Sequence, residues 1–211
     1  MNIIERYDKQ FQYAEIIFYL VITLQFYIVW SNPKISNVHL ISELALLIAF
    51  EFIMVHSGVF MAAFPKKISL FIFFPLYGIF AIVFSSFIEN WHLIIITYLF
   101  AVFNRMRFAF ADVSDRLKSR NILISVTAAV VYFFLMFIIA FSADSIPELG
   151  LTQDFLNKSG YFETLKTGGI FLDMPQTALC LGVIYYVLMA CFVFLITRKK
   201  ATLAIPPKIN L

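Results

Sequence analysis

Charged residues, glycine and cysteine are all scarce in this sequence. Only 14% of its 211 residues are charged, against roughly 25% in a soluble domain, so water is not the main solvent of the folded chain. No two of the seven glycines are four residues apart, which excludes the close helix pairing of a GxxxG motif. The two cysteines, Cys180 and Cys191, lie roughly 16 Å apart along one predicted helix, too far for a disulfide.

Several catalytic motifs are absent as well. The sequence has no HExxH, no P-loop and no GxGxxG, which argues against zinc proteolysis, nucleotide hydrolysis and dinucleotide binding. His56 and Ser57 are neighbours, but adjacent helical side chains diverge by roughly 100° and do not form a nucleophile and base pair. The sequence leaves enzymatic activity open and favours a protein that is not an enzyme.

What the chain has in abundance is bulky apolar residues. Hydrophobic residues make up 62% of it, Phe occurs 26 times and the mean hydropathy is +0.88. A helix needs roughly 20 apolar residues to cross a bilayer. We therefore predict an all-α, polytopic transmembrane bundle in one membrane domain, 1–211, with an outer-face loop at 142–176. Six spans are predicted, at about 11–30, 38–63, 68–87, 91–110, 122–141 and 177–196.

The distribution of Lys and Arg predicts the orientation of these spans. Thirteen of the 16 basic residues fall on the side of the N-terminus, and only Lys34, Lys158 and Lys166 fall on the other. Basic residues near span ends stay in the cytoplasm, so both termini are expected there, in the plasma or inner membrane if the protein is bacterial. The net charge of +3 then indicates contact with the bilayer and its anionic head groups, and no nucleic-acid partner.

Glu51 is the clearest candidate for a functional residue. It lies thirteen residues into the second predicted span, or roughly 20 Å into a core of roughly 30 Å. His56 is on the same span, and Asn104 and Arg105 reach a matching depth on the fourth. Ionisable groups at that depth are costly and normally face the bundle interior. We predict a polar substrate or proton site formed by these four residues.

A structural interpretation of the same residues stands beside the functional one. A buried pair of Glu51 with Arg105 would fix the register of two helices. Glu15 and Glu43 lie close to span ends, and we expect both to reach the head groups. Pro75 is expected to kink the third span.

The histidines suggest one cofactor site at most. His39 and His92 begin the second and fourth predicted spans, so they could face each other and bind a metal or a haem iron. Histidine is also an ordinary interfacial residue. We therefore predict no cofactor and no metal.

Two functions compatible with this architecture compete. The first is transport or permeation of a small solute, ion or proton through the polar site, because a mid-membrane carboxylate needs a reason to be retained. The alternative is an accessory or assembly subunit that binds another membrane protein, or a second copy of this chain, through its Phe-rich faces or its outer loop. The small size and the lack of an internal repeat favour the alternative.

Overall fold

The chain folds into helices. The computed structural model describes residues 3–87, 92, 94–100, 102, 113–165 and 168–198, and this part of the chain contains no β-strand. The helices are α1 Ile3–Arg6, α2 Asp8–Ser31, α3 His39–Ala63, α4 Lys66–Ile68, α5 Phe74–Ser85, α6 Asp115–Phe141, α7 Gln153–Lys158, α8 Ile170–Asp173 and α9 Pro175–Arg198. Residues 94–100 are helical too. The predicted all-α class is confirmed.

Four of these helices are long and apolar enough to cross a membrane, which indicates a membrane protein. They are α2, α6, α9 and the stretch His39–Phe60 of α3. They coincide with the predicted spans 11–30, 122–141, 177–196 and 38–63. The predicted span 68–87 corresponds to a shorter apolar helix, Ser69–Ser85. Most of the predicted span 91–110 lies outside the described residues.

A π-helical turn precedes Pro75. Residues Ser69–Phe73 form this turn, and the backbone N–H of Phe74 donates to the carbonyl oxygen of Ser69, five residues earlier. Proline lacks an N–H, and its ring would clash with the carbonyl four residues before it in a regular α-helix. The wider turn accommodates Pro75 at the start of α5. The helix is thus irregular next to Pro75, and the kink expected there stays a prediction.

Helix α9 is the centre of the bundle. It packs against α2 along most of its length and also contacts α3 and α6. Its pairing with α2 depends on Gly182, where an added Cβ would overlap the ring of the fully buried Phe26. The two cysteines on this helix are free, with Cys180 buried and Cys191 exposed on the outside of the bundle.

Polar contacts hold together the end of the bundle at which α2 and α6 begin and α9 ends, here called the N-terminal end. Arg120 forms a 2.5 Å ion pair with Asp8. The backbone N–H of Ser114, just before α6, donates to Oε1 of Glu5 at 2.7 Å. That hydrogen bond lowers the pKa of Glu5, because it stabilises the ionised carboxylate.

The opposite end is covered by the segment 142–176. Trp30 Nε1 donates to the carbonyl oxygen of Pro147, and the N–H of Gly150 donates to the carbonyl oxygen of Trp30, both at 3.0 Å. Tyr161 is fully buried and donates to the carbonyl oxygen of Leu172. Burial, with a smaller effect from Asp173, raises the pKa of Tyr161 and keeps its hydroxyl protonated. The described residues of this segment pack onto the bundle.

We expect Gly182→Ala to destabilise the protein, because its methyl group overlaps the ring of Phe26. Overpacking of this kind typically costs about 1–3 kcal/mol. The measurement is the midpoint of thermal unfolding in detergent. Gly168→Ala is the control, since a Cβ there would lie 3.6 Å from Asp173 Oδ1, an ordinary contact. Equal midpoints for the two variants would contradict the close packing of α2 on α9.

Glu5→Gln should lower the thermal midpoint at pH 7 and lose this effect in acid. The folded-state pKa of Glu5 is lowered from 4.5, so its stabilisation is present above the unfolded-state pKa and disappears as the pH falls through the lower value. Midpoints measured from pH 7 down to about pH 3 test this, since carboxylates titrate there. Glu163→Gln, at an exposed position, controls for the loss of one charge. If the difference in midpoint between Glu5→Gln and the unmodified protein grew as the pH fell, the prediction would be wrong.

Candidate functional site

Glu51 is buried where α3 meets α9. Its side chain is 2% exposed, and Tyr185 of α9 donates a hydrogen bond to its Oε1 at 2.8 Å. A buried carboxylate needs such donors, because apolar surroundings cannot replace its hydration. The contact joins two helices that are both long and apolar enough to cross a membrane.

Tyr132 of α6 packs beside the contact between Glu51 and Tyr185, from a third helix. Its ring packs edge to face on that of Tyr185, with centroids 5.5 Å apart. Its hydroxyl donates to the carbonyl oxygen of Ile48, one turn before Glu51, at 2.8 Å. Both tyrosines are fully buried. Glu51, Tyr132 and Tyr185 together are called the Glu51 site below.

A row of tyrosines links this site to a second buried carboxylate. Glu15 of α2 is 4% exposed and accepts a 2.9 Å hydrogen bond from Tyr19. The ring of Tyr19 lies 5.9 Å from that of Tyr186, and Tyr186 lies 5.0 Å from Tyr185. The tyrosine row, Tyr19, Tyr186, Tyr185 and Tyr132, therefore crosses the interior from α2 to α6.

Further polar groups extend from Glu15 towards the N-terminal end. Gln12 lies one turn earlier on α2 and accepts a 2.6 Å hydrogen bond from Thr197 of α9. Its amide donates to Asp8 at 3.3 Å, and Asp8 in turn pairs with Arg120. Buried polar side chains thus line the contact between α2 and α9 in this half of the bundle.

The structure places two of the four predicted site residues, and it does not bring these two together. Glu51 is buried as expected, whereas His56 is half-buried and directs its Nδ1 to the carbonyl oxygen of Phe52 on its own helix, at 2.6 Å. The centroid of the His56 ring lies 4.6 Å from that of Phe52, and the two rings are tilted by 58°. Asn104 and Arg105 lie outside the described residues, so the pairing of Arg105 with Glu51 stays a prediction.

The histidine pair suggested for a metal or haem is placed in part. His39 begins α3 and is half-buried, and His92 is exposed. No group of three or more His, Cys, Asp or Glu side chains that could hold a metal ion occurs among the residues that the structure describes. The pair stays a low-ranking hypothesis.

Burial of Glu15 and Glu43 differs from our expectation. Both were expected to reach the head groups, yet they are only 4% and 2% exposed. Both side chains are buried by the packing of their helices in the bundle. The number of residues from a span end does not predict such packing. The partners of Glu51 were also missed, although one signal was available: Tyr185 lies ten residues into α9, well away from the interface where tyrosine normally anchors a helix.

The geometry of the Glu51 site suits hydrogen bonding and proton exchange. Carboxylates accept hydrogen bonds, and each tyrosine hydroxyl can both donate and accept. The arrangement is suited to a proton or a small polar species inside an apolar bundle.

Comparison with known proteins adds no relative, since no protein family, curated protein or solved structure matches this chain. The functional argument therefore depends on the site alone.

Tyr185→Phe should destabilise the protein by about 1–3 kcal/mol, because it removes a donor from a buried carboxylate. Glu51→Gln should cost less, since its amide oxygen still accepts from Tyr185. Thermal midpoints in detergent test both, with Tyr27→Phe as the control at an exposed position of α2. Equal thermal midpoints for Tyr185→Phe and Tyr27→Phe would show that the contact between Glu51 and Tyr185 contributes little to stability.

Proposed function

We propose that this protein is a multi-pass integral membrane protein that passes a small solute, an ion or a proton through the Glu51 site. The observation that carries the proposal is the 2.8 Å hydrogen bond from Tyr185 to the buried Glu51. It joins an acidic group and its donor inside helices of membrane-spanning length. Ionisable side chains in such a place normally mark a substrate, ion or proton path.

A purely structural role for Glu51 fits the wider arrangement less well. A single helix-to-helix contact would require one buried carboxylate, whereas three, Glu15, Glu43 and Glu51, are each at most 4% exposed. Each buried charge carries a desolvation penalty that apolar residues of similar volume would avoid. Retention of several such groups favours a function that uses them.

Six spans with both termini in the cytoplasm remain part of the proposal. Helices α2 and α6 begin at the same end of the bundle, since Asp8 pairs with Arg120. Between them the chain crosses once through α3, and Tyr98 donates to the carbonyl oxygen of Phe74 at 2.6 Å. That contact sets residues 94–100 beside the start of α5, which supports a helical hairpin and two further crossings.

The accessory-subunit alternative depends on exposed apolar faces. Phe133, Phe137 and Phe141 form one such strip on α6, with successive rings 4.8 Å and 6.2 Å apart. Lipid covers such a strip as well as a partner protein would, so the strip does not distinguish a transporter from an accessory subunit. Solute movement by the protein alone is the property that separates the two functions.

The test uses the full-length protein purified and reconstituted into liposomes. Fluxes of protons, Na⁺ and K⁺, and swelling in small uncharged solutes, are compared with protein-free liposomes. We expect at least one flux above background, reduced at least tenfold by Glu51→Gln. Glu148→Gln, at an exposed position, should behave like the unmodified protein. Absence of every flux, or a flux unaffected by Glu51→Gln, would overturn the proposal.

A further inference from the structure

Two buried polar side chains of α6 have unused hydrogen-bonding capacity. Asn121 is 3% exposed and Ser125 is 0% exposed. Within the part of the chain that the structure describes, Asn121 Nδ2 and Ser125 Oγ have no hydrogen-bond partner. Leaving such a group unsatisfied is unfavourable, because the group loses its hydration and gains no partner in exchange. Two of them one turn apart indicate a small polar ligand between the helices.

Helix geometry places these groups directly below the Glu51 site. At 100° per residue, Asn121, Ser125 and Ala128 lie within roughly 40° of Tyr132 around the α6 axis. Tyr132 contacts the backbone of α3 at Ile48 and the ring of Tyr185 on α9. The face that carries Asn121 and Ser125 is therefore turned towards α3 and α9.

Asn121 and Ser125 lie between the Glu51 site and the N-terminal end of the bundle. Ser125 lies roughly 10 Å and Asn121 roughly 16 Å from Tyr132 along the α6 axis, towards the N-terminal end. Ala128, between Ser125 and Tyr132, is buried and small. Gly58, also buried, lies on the face of α3 that carries Glu51 and contributes no side chain to this region. Ser125 and Asn121 thus lie at successive depths between Tyr132 and the N-terminal end.

A small apolar cluster lies between Asn121 and the N-terminal end. Leu117, one turn before Asn121 and 5% exposed, packs with Ile4, Leu70, Val113 and Ile122. This group is separate from the main core. Its position makes it a hydrophobic barrier between the polar face of α6 and the surface.

We propose that Asn121 and Ser125 line a water-filled access path that carries protons between Glu51 and the N-terminal end, with Leu117 as its gate. This deepens the proposed function, on which it rests, by naming the proton as the transported species. Water both donates and accepts, so it can satisfy the Asn121 amide and the Ser125 hydroxyl together.

The chemistry of the lining disfavours a metal cation. The unpartnered Asn121 Nδ2 is a donor and requires an acceptor, which water supplies and Na⁺ or K⁺ does not. The described residues include no group of three acidic or other metal-binding side chains. Tyrosine hydroxyls and carboxylates, in contrast, can pass a proton along a line of hydrogen bonds.

Thiol labelling tests the presence of water independently of transport. In full-length protein carrying Cys180→Ala and Cys191→Ala, we expect Ser125→Cys to react with aqueous 2-aminoethyl methanethiosulfonate at least tenfold faster than Ile124→Cys. Ile124 is the matched control, since it is adjacent on α6 and 3% exposed but lies in the apolar core. Leu117→Ala should accelerate labelling at position 125 further. Equal rates at positions 124 and 125 would overturn the path.

Measurement of proton flux in liposomes is the second test of the path. Asn121→Leu, which keeps the branching of the side chain but removes both polar groups, should reduce proton flux at least tenfold, and Na⁺ and K⁺ should not cross. Loss of flux in Glu51→Gln but not in Asn121→Leu would overturn the path and leave the Glu51 proposal intact. Flux that survives Glu51→Gln would overturn the proposed function instead.

Discussion

The contact between α2 and α9 is the constraint on which the interior depends. The ring of Phe26 can approach α9 this closely only because residue 182 is glycine, and the two helices pack together along most of their length. With one face of α9 fixed in this way, another face delivers Tyr185 to Glu51 at 2.8 Å. The position of the carboxylate is thus determined by a packing contact at Gly182, one turn before Tyr185 and roughly 60° from it around the α9 axis.

Length and hydropathy are sufficient to predict the four long helices, because a membrane permits few other structures for an apolar segment. The same reasoning located Glu51. It did not find Tyr185 or the burial of Glu15, since these depend on which helices are neighbours and on how each is rotated. In a helix that is apolar on all sides, the lipid-facing and protein-facing residues are chemically alike. The local sequence therefore does not predict how the helix is rotated about its own axis. Tyr132 and Asn121 were missed for the same reason.

The interior of this bundle combines apolar packing with a limited number of polar contacts. Glu15 and Glu51 each accept from a tyrosine, and the tyrosine rings pack against one another. An aromatic ring with one hydroxyl can occupy an apolar core while serving a charged neighbour. Tyrosine therefore resolves the conflict between burying a carboxylate and keeping the bundle apolar.

The pairing of the first long helix with the last has a consequence for biosynthesis. Phe26 is translated long before Gly182, and at 5–20 residues per second the interval is roughly 10–30 s. During that time α2 is complete while the helix that covers Gln12 and Glu15 does not yet exist. The nascent chain must keep these polar groups hydrated or shielded by the insertion machinery. Synthesis of the protein is therefore most vulnerable before α9 emerges, and truncation of α9 would leave Gln12 and Glu15 without the helix that packs on α2.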